Sequence, residues 1–271
     1  MSFFLVFVTL YQIEYMELIY LYHSGFALLG ENFTVVLDYF EDSDGATEGI
    51  LHRELLHRPG RFYVLSSHFH ADHFNKEVLK WRETRPDIVY IFSKDILRRR
   101  RAAADDAIWL KKGDEYHDET IHVQACGSTD VGISFLIEAE GKKVFHAGDL
   151  NNWHWMDEST EAEWKGYEKN YLHELEYIRR YTTEVDVAMF PVDPRLGREY
   201  MRGPRQFVEQ IKTSIFVPMH FDEAYEAATA FAPVAEANGT AMIRLYRRGQ
   251  QEHIDSVSYT HLRAHETLSD L

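Results

Sequence analysis

The sequence predicts an α/β fold built around a large apolar core. Short runs of β-branched and aromatic residues alternate along the chain with segments whose apolar residues have helical spacing. Of the 271 residues, 45% are hydrophobic and 14% are aromatic, which is enough to fill the core of one large domain. Histidine or aspartate directly follows several of the predicted strands. We therefore expect a single domain over residues 16–256, with polar side chains gathered where the strands end.

The first half of the chain is predicted to alternate strands with short helices. Pro59 and Gly60 end the first helical segment, and Pro86 ends the second, which Asn75 caps at its start. Ser93 caps a third segment, which is rich in arginine. The predicted helices cover 50–57, about 75–85 and the segment after Ser93. The predicted strands cover 18–22, 26–29, 33–37, 62–66, 88–92 and 107–110.

The second half adds a further set of strands and a long helix. Glu140 and Gly141 are predicted to form a tight hairpin turn. Apolar side chains recur at helical spacing over 159–181, and we interpret them as core contacts rather than as a cofactor site. Another helix begins at Gly203 and Pro204, and the last helix spans about 223–236. The predicted strands cover 120–125, 131–139, 142–146, 185–190, 214–219 and 241–246.

Three histidines and one aspartate follow the strand at 62–66 within six positions. His68 and His70 lie two positions apart, so an extended chain would project both side chains to the same side, where they can bind one ion. Adjacent side chains point apart, so Asp72 and His73 would not simply complete that site, and a second ion is expected. Imidazole favours zinc, iron or manganese, and among these the ligands favour zinc. The alternative is a polar loop that binds nothing.

Two further candidate ligands follow later strands. Asp149 comes after a strand and after Gly148, a residue that allows the backbone to pass close to an ion. His220 directly follows the strand at 214–219. His23 lies at the end of the first strand, and we interpret it as a hydrogen-bonded structural residue in preference to a metal ligand.

Asp193 and Arg195 follow the strand at 185–190. An arginine at this place can bind a phosphate or a carboxylate with two parallel hydrogen bonds. A salt bridge within a surface loop is an equally good interpretation. Both residues are therefore candidates for a substrate-facing or supporting role.

Net charge and cysteine content restrict the class of partner. The formal net charge of −15 argues against broad electrostatic binding to nucleic acid or to an anionic membrane. The one dense basic run, residues 98–101, precedes Asp105 and Asp106 and is interpreted as a solvated helix face. Cys126 is the single cysteine, which excludes an internal disulfide and fits a reducing compartment. We expect a cytoplasmic protein that acts on a small molecule.

Both ends of the sequence look foreign to the domain. Residues 1–10 are apolar but lack the basic residues and the cleavage site of a signal peptide, and Gln12 and Glu14 interrupt them. We expect residues 1–15 to derive from a misplaced start. Residues 257–267 resemble the translation of a transposon-type sequencing adapter, so we expect 257–271 to be an assembly artefact. His261 and His265 have the spacing of a helical zinc pair and are excluded for that reason.

Three motifs together resemble the metallo-β-lactamase superfamily of metallohydrolases. They are the H-x-H-x-D-H run at 68–73, the strand-Gly-Asp element at 146–149 and the late strand-His element at 216–220. The resemblance implies a four-layer αβ/βα sandwich, in which two mixed sheets pack face to face with helices outside. The short HSGF start and the late element look most like the branch that contains ascorbate-6-phosphate lactonase.

The resemblance also implies two metal positions joined by one bridging carboxylate, which would be Asp149. The implied ligands of the first ion are His68 and His70, and those of the second are Asp72, His73 and His220.

One residue departs from the family pattern. The family usually has another first-site histidine between these motifs, and Thr129 stands at that place in this chain. Threonine is a poor zinc ligand, so the first site would be completed by Asp130 or by water, or would be empty. His122 on the preceding strand is a less suitable substitute.

The resemblance implies hydrolysis. A metal-bound hydroxide would attack an ester, lactone or phosphoester of a small molecule, with Asp72 orienting or deprotonating the nucleophile. The expected cofactor is one or two Zn²⁺ ions, with Mn²⁺ or Fe as alternatives. Two other interpretations stay open, namely an iron-dependent oxidoreductase on the same fold and a metal-binding protein without catalytic activity.

Overall fold

A computed structural model describes residues 16–45 and 48–254 of the chain. Within these residues, two seven-stranded mixed sheets pack face to face, and helices cover their outer faces. The α/β sandwich expected from the resemblance is confirmed. The predictions for residues 1–15 and 257–271 lie outside the described residues. Among the described helices, none combines the length and the apolar composition that crossing a bilayer requires.

Each of the two sheets is antiparallel in one half and parallel in the other. In chain order they are β1 (Met16–Tyr22), β2 (Gly25–Leu29), β3 (Phe33–Leu37), β4 (Arg61–Ser66), β5 (Val89–Ser93), β6 (Ile108–Leu110), β7 (Glu115–His117), β8 (Ile121–Cys126), β9 (Ser134–Ala139), β10 (Lys142–His146), β11 (Glu184–Pro191), β12 (Lys212–Met219), β13 (Ala241–Met242) and β14 (Gln250–Ile254). The first sheet has the order β14-β1-β2-β3-β4-β5-β6 and is antiparallel up to β3 and parallel beyond it. The second has the order β13-β12-β11-β10-β9-β8-β7 and is parallel up to β10 and antiparallel beyond it.

The helices lie on the outside of the sandwich. They are α1 (Ile50–Arg53), α2 (Lys94–Arg98), α3 (Glu161–Ile178), α4 (Arg202–Gln210), α5 (Tyr225–Thr229) and α6 (Ala232–Ala237), with 3₁₀ helices at Leu55–His57, Lys76–Glu83, Ala104–Asp106 and Pro194–Glu199. Thr160 begins α3 with a capping box in which Thr160 and Glu163 bond each other's backbone N–H. Tyr171, Leu175 and Ile178 lie on the buried face of α3, as expected for core contacts, whereas Tyr167, at the same helical spacing, is 47% exposed and is not a core contact.

Side-chain alternation explains why the first sheet is buried on both faces. Leu18 and Tyr20 of β1 point into the core between the sheets, whereas Ile19 and Leu21 pack in the second core against the outer helices. Successive side chains of a strand point to opposite faces, so a strand in the middle layers must be apolar at almost every position.

Several element boundaries differ from the predictions. The helix predicted at 223–236 is divided into α5 and α6, because Pro233 has no N–H for a helical bond to residue 229 and its ring would clash there. The strand predicted at 241–246 is paired only at Ala241–Met242. The arginine-bearing helix ends at Arg98, because the backbone at Arg100 turns into the left-handed region with a φ of 56°. Strands β7 and β14 had no counterpart in the predictions.

The topology brings the carboxyl ends of six strands to one edge of the sandwich. Strands β1, β3 and β4 run in the same direction, because β1 and β3 are both antiparallel to β2 and β3 is parallel to β4. Strands β10, β11 and β12 are parallel to one another. Backbone hydrogen bonds from His220 N to His23 O and from Ile133 N to Ser67 O join the two sheets at this edge. Residues that follow these six strands therefore share one location.

Candidate metal centre

All six residues expected as ligands lie together at this edge. The loop after β4 carries four of them, the loop after β10 carries one, and the last directly follows β12. They are His68, His70, Asp72, His73, Asp149 and His220. The other candidate residues, Thr129, Asp130, Asp193 and Arg195, surround this cluster.

Asp149 lies at the centre of the cluster. Its Oδ1 atom is 3.1 Å from His73 Nε2 and 3.3 Å from His220 Nε2. Its Oδ2 atom is 3.2 Å from His68 Nε2. The two oxygens of one buried carboxylate thus face two different groups of side chains, which is the arrangement a bridging ligand requires.

The group beside Oδ1, here called position 2, consists of His23, Asp72, His73 and His220. Their ligand atoms all lie within 4.8 Å of one another. His23 Nε2 is 3.3 Å from Asp72 Oδ2, and its ring centroid is 4.3 Å from that of His220. The side chain of His23 points into the cluster, where it could serve as a ligand, and it also lies 2.9 Å from Asp222 Oδ1, so its structural interpretation stays a prediction. Only its location at the end of a strand was visible in the sequence.

The group beside Oδ2, here called position 1, consists of His68, His70 and Asp130. Their ligand atoms and that of Asp149 also lie within 4.8 Å of one another. His68 Nε2 is 3.0 Å from His70 Nδ1, and His70 Nδ1 is 3.7 Å from Asp130 Oδ2. The side chains of His70 and Asp130 are 40% and 45% exposed. Position 1 is thus more open to water than position 2, where His23, His73 and His220 are buried.

Thr129 makes internal hydrogen bonds instead of facing a metal position. Its hydroxyl donates to Asn151 O at 2.6 Å and accepts from Asn151 N at 3.0 Å. The side chain therefore stabilises the loop that carries Asp149. Where the family pattern has a histidine ligand, this chain has a support for the loop, and the neighbouring Asp130 is the residue that reaches His70.

The loop after β4 converges by bending, which the sequence interpretation did not anticipate. The chain bends over residues 67–70 and turns over 71–73, with His73 N and Phe74 N both donating to His70 O. The expectation of an extended chain here is wrong, although His68 and His70 still approach each other. The turn also brings Asp72 Oδ2 within 3.8 Å of His73 Nε2, so these adjacent side chains face the same position.

Asp38 lies on the buried side of the cluster and supports it, although no pattern in the sequence singles it out. It is fully buried, and its Oδ2 accepts from His73 Nδ1 at 2.7 Å. The same carboxylate accepts from Ser67 N and Ser67 Oγ, each at 2.6 Å. A carboxylate on the far nitrogen of a ligating histidine fixes the ring and its tautomer. Asp38 therefore orients His73 and fixes the bend that begins at Ser67.

Asp193 orients His220 in the same way. Its Oδ2 atom lies 3.1 Å from His220 Nδ1, and Arg195 binds both of its oxygens. Burial raises the pKa of Asp193, but hydrogen bonds from His220 and Arg195 outweigh it and lower this pKa to about 2. The salt-bridge interpretation of Arg195 is thus correct in geometry, yet the bridge supports the cluster.

Three residues of the cluster have a left-handed backbone. The φ angles are 56° at His23, 41° at Asp38 and 62° at His220. Residues other than glycine at such angles cost about 1–3 kcal/mol each and persist only where the surrounding structure holds them. Their concentration at one edge indicates a functional site.

The side chains present fit a divalent cation. Two buried atoms, His73 Nε2 and Asp149 Oδ1, lie 3.1 Å apart but have hydrogen-bond geometry to no described residue, whereas the ring nitrogens of His23 face the carboxylates of Asp222 at 2.9 Å and Asp72 at 3.3 Å. A buried polar atom without a partner costs about 1–3 kcal/mol, so their convergence is explained if they face a cation. Burial raises the pKa of Asp149, but the charges of His73 and His220 hold it well below its usual range. Imidazole and carboxylate donors without thiolate suit zinc, manganese or iron.

Replacing Asp38 with asparagine is expected to weaken metal binding by about 10–100-fold, because partners of ligating histidines typically contribute that much. The amide keeps the size of the side chain but removes the charge that His73 Nδ1 faces. Competition for Zn²⁺ against a chromophoric chelator measures the change. Asp42→Asn is the matched control, since Asp42 is equally buried but lies 2.6 Å from His52 Nδ1, outside both positions. Equal zinc affinity in the Asp38 variant and the wild type would contradict the role given to Asp38.

The chain is similar over most of its length to proteins described as metal-dependent hydrolases and to one described as a diiron hydroxylase. A UPF0173 metal-dependent hydrolase of Symbiobacterium thermophilum is 23% identical over 248 residues, which cover 87% of this chain and 98% of that protein. Igni18, a metallo hydrolase of Ignicoccus hospitalis, matches with a TM-score of 0.64 and 17% identity, covering 89% of this chain and 99% of that one. CmlA, a diiron β-hydroxylase of Streptomyces venezuelae, matches with a TM-score of 0.59 and 14% identity, covering 89% of this chain and 54% of that one. At these identities the structural likeness shows the fold alone.

A family model described as the beta-lactamase superfamily domain matches residues 17–220. This range begins in β1 and ends at His220, so it contains both metal positions and well over half of the chain. The resemblance to the superfamily is thereby confirmed, whereas the narrower resemblance to the ascorbate-6-phosphate lactonase branch stays a prediction. The chain therefore belongs to the family described as the beta-lactamase superfamily domain.

Proposed function

We propose that the protein is a metal-dependent hydrolase that cleaves an ester, lactone or phosphoester bond of a small molecule. The observation that carries the proposal is the convergence of the buried imidazoles of His23, His73 and His220 beside the carboxylate of Asp149, at the edge where six strands end. The similarity to a UPF0173 metal-dependent hydrolase over 87% of this chain supports it. We place the activity in the cytoplasm, because the single cysteine fits a reducing compartment.

The candidate ligands form two metal positions that share Asp149. Position 2 would hold an ion with His23, Asp72, His73 and His220, and position 1 would hold one with His68, His70 and Asp130, with Asp149 shared. A bound ion supplies Lewis-acid chemistry, since it lowers the pKa of water from about 15.7 to roughly 7 and polarises a carbonyl or phosphoryl oxygen. Zinc is the proposed cofactor. Position 2 would fill first, because it is better buried and has more protein ligands.

Asp72 is the residue we assign to orienting the attacking water. Its side chain is 37% exposed, so it reaches both the buried cluster and the solvent side. Burial raises the pKa of Asp72, but the hydrogen bond with His23 and the charge of His73 lower it far more. The carboxylate is therefore ionised at neutral pH and can accept a hydrogen bond from water or receive its proton. His23 holds it in place from the buried side.

An iron-dependent oxidoreductase is the second candidate. The imidazole and carboxylate side chains of the two positions suit iron as well as zinc. CmlA, which matches this fold, is a diiron enzyme, but only 54% of its length is covered. The hydrolase is better supported, because the curated relative is described as a hydrolase and is covered over 98% of its length.

The proposal is tested by removing and restoring the metal in protein purified without a metal-binding tag. We expect hydrolysis of at least one of p-nitrophenyl acetate, γ-butyrolactone and bis-p-nitrophenyl phosphate to be lost after chelation and to return with Zn²⁺ or Mn²⁺. His220→Ala should prevent the return. His122→Ala should not, since His122 is exposed, pairs with Glu115 and lies outside both positions. Ferrous protein that consumes oxygen and hydrolyses none of the three substrates would contradict the proposal.

A further inference from the structure

We propose that a cavity beside the metal centre binds an aromatic ring that carries a carboxylate or a phosphate, so that the substrate is a small aromatic acid derivative. The inference deepens the proposed function, and it rests on that function in taking this cavity as the substrate site. The cavity has a volume of about 400 Å³, which is the size of a small-molecule site. Asp149 and His220 form its side toward the metal centre. Its other walls are formed by Thr129, Asp130, Trp153, Trp155, Tyr167 and Arg195.

Two tryptophans give the cavity a flat apolar surface. The indole planes of Trp153 and Trp155 lie within 16° of each other, with ring centroids 6.3 Å apart. Trp153 is fixed beside the metal centre, because its Nε1–H donates to Asp149 O at 2.8 Å and its ring lies 5.4 Å from that of His220. Both indoles are only half-buried, so a ring entering the cavity can stack on them.

The backbone at Trp155 supports a binding role for its side chain. Its φ angle is 42°, in the left-handed region that bulky residues rarely adopt. A smaller or more flexible residue would fit this turn with less strain. Strain at a residue whose side chain lines a cavity is typical of ligand-binding segments.

Arg195 supplies a cationic group in a preset orientation. Its Nε and Nη2 atoms bind the buried carboxylate of Asp193 at 2.6–3.0 Å, which fixes the plane of the guanidinium. Its Nη1 atom forms no hydrogen bond to any residue of 16–45 or 48–254. The side chain is 55% exposed and lines the cavity. The remaining N–H donors are therefore available to an oxyanion, and a planar guanidinium binds carboxylate or phosphate well.

The polar groups of the cavity favour an aromatic ring over a sugar ring. The Thr129 hydroxyl is used by Asn151, and the Trp153 N–H is used by Asp149. Of the other polar side chains, Asp130 belongs to position 1 and Tyr167 is exposed, so few partners remain for ligand hydroxyls. A sugar would bury several hydroxyls without partners, which is unfavourable, whereas an aromatic ring needs none.

Binding of non-hydrolysable probes to the zinc-loaded protein tests the proposal by calorimetry. We expect phenylphosphonate to bind about 10-fold or more tighter than methylphosphonate, benzyl alcohol or glucose 6-phosphate. Methylphosphonate reports what the metal centre and Arg195 contribute without a ring, and benzyl alcohol reports the ring without charge. Equal affinity for the two phosphonates, or tighter binding of glucose 6-phosphate, would overturn the proposal.

Two variants separate the ring from the charge. Trp155→Leu should weaken phenylphosphonate about 10-fold while leaving methylphosphonate unchanged. Arg195→Gln should weaken both phosphonates about 10-fold and leave benzyl alcohol unchanged. Affinities are compared at equal metal content, because Arg195 also supports Asp193 and through it His220. Arg198→Gln is the control, since Arg198 is exposed and pairs with Asp157 outside the cavity.

These measurements are independent of turnover. If phenylphosphonate binds as expected and no ester is hydrolysed, the proposed function fails while the cavity assignment stands. If hydrolysis depends on metal but Trp155→Leu and Arg195→Gln bind every probe like the wild type, the cavity assignment fails and the hydrolase stands.

Discussion

Replacing Asp149 with alanine is expected to remove metal binding and hydrolysis together. Its Oδ1 faces His73 and His220 at 3.1 and 3.3 Å, and its Oδ2 faces His68 at 3.2 Å. The substitution therefore removes a donor from both positions at once, and it leaves histidines packed together without the negative charge between them. Loss of a residue that merely supports a ligand costs about 10–100-fold, so the loss of a shared ligand should reduce turnover by more than that.

A graded comparison shows whether Asp149 is shared. Asp130→Ala removes a residue of position 1 only, so we expect it to retain the metal of position 2. Elemental analysis and turnover are measured on both variants and on the wild type, with thermal unfolding to verify the fold. An Asp149→Ala protein that keeps the wild-type metal content would show that the carboxylate does not join the two positions.

Replacing Gly132 with alanine is expected to destabilise the fold and to displace the histidine loop. Gly132 has a φ of 78°, and a Cβ atom there would lie 2.1 Å from Ser67 O and 2.5 Å from His68 Cβ. The clash is with backbone, and the adjacent bond from Ile133 N to Ser67 O joins the two sheets. Left-handed strain of about 1–2 kcal/mol and overpacking of about 1–3 kcal/mol predict a total loss of about 2–5 kcal/mol.

Gly141→Ala is a matched control for that prediction. Gly141 has a similar φ of 72°, but a Cβ atom there would meet nothing within 4 Å. Only the strain remains, so we expect a loss of about 1–2 kcal/mol. Urea denaturation measures both variants, and metal content should fall in the Gly132 variant alone. Equal losses of unfolding free energy in the two variants would contradict the contact between Gly132 and the loop that carries His68.

Much of the fold was predictable because the local residue pattern identifies most of its strands. Strand β4 has a run of apolar and aromatic residues from Phe62 to Leu65, as a strand buried on both faces requires, and it leads directly to the histidine cluster. The rule that functional groups gather at the carboxyl ends of strands was enough to connect that cluster with Asp149 and His220. Those three elements lie together although Asp149 is 76 positions after His73 and His220 is 71 positions after Asp149.

The support of the cluster was not predictable from local patterns. His23 and Asp38 reach the cluster through left-handed backbone positions, and the general enrichment of histidine and aspartate in that region does not single out these two residues. Asp38 stood at the start of an acidic loop, and only the parallel pairing of β3 with β4 places it beneath His73. Pro233 did carry a signal, since a proline within a predicted helix marks its interruption.

Thr129 illustrates a substitution that sequence could detect but not explain. The resemblance identified the missing histidine at this place, and the available alternatives were Asp130, water or an empty site. In the structure, the Thr129 hydroxyl donates a hydrogen bond to Asn151 O, and Asp130 Oδ2 lies 3.7 Å from His70 Nδ1. Whether Asp130 acts as a ligand remains a prediction, and the Asp130→Ala variant tests it.

The metal content of protein purified without a metal-binding tag tests the central claim most directly. We predict at least one zinc, manganese or iron ion per chain in the wild type, retention of metal in Asp130→Ala, and its loss in Asp149→Ala. A wild-type protein that hydrolyses its substrate at full rate with no stoichiometric metal would contradict the account, as would an Asp149→Ala protein with unchanged metal content.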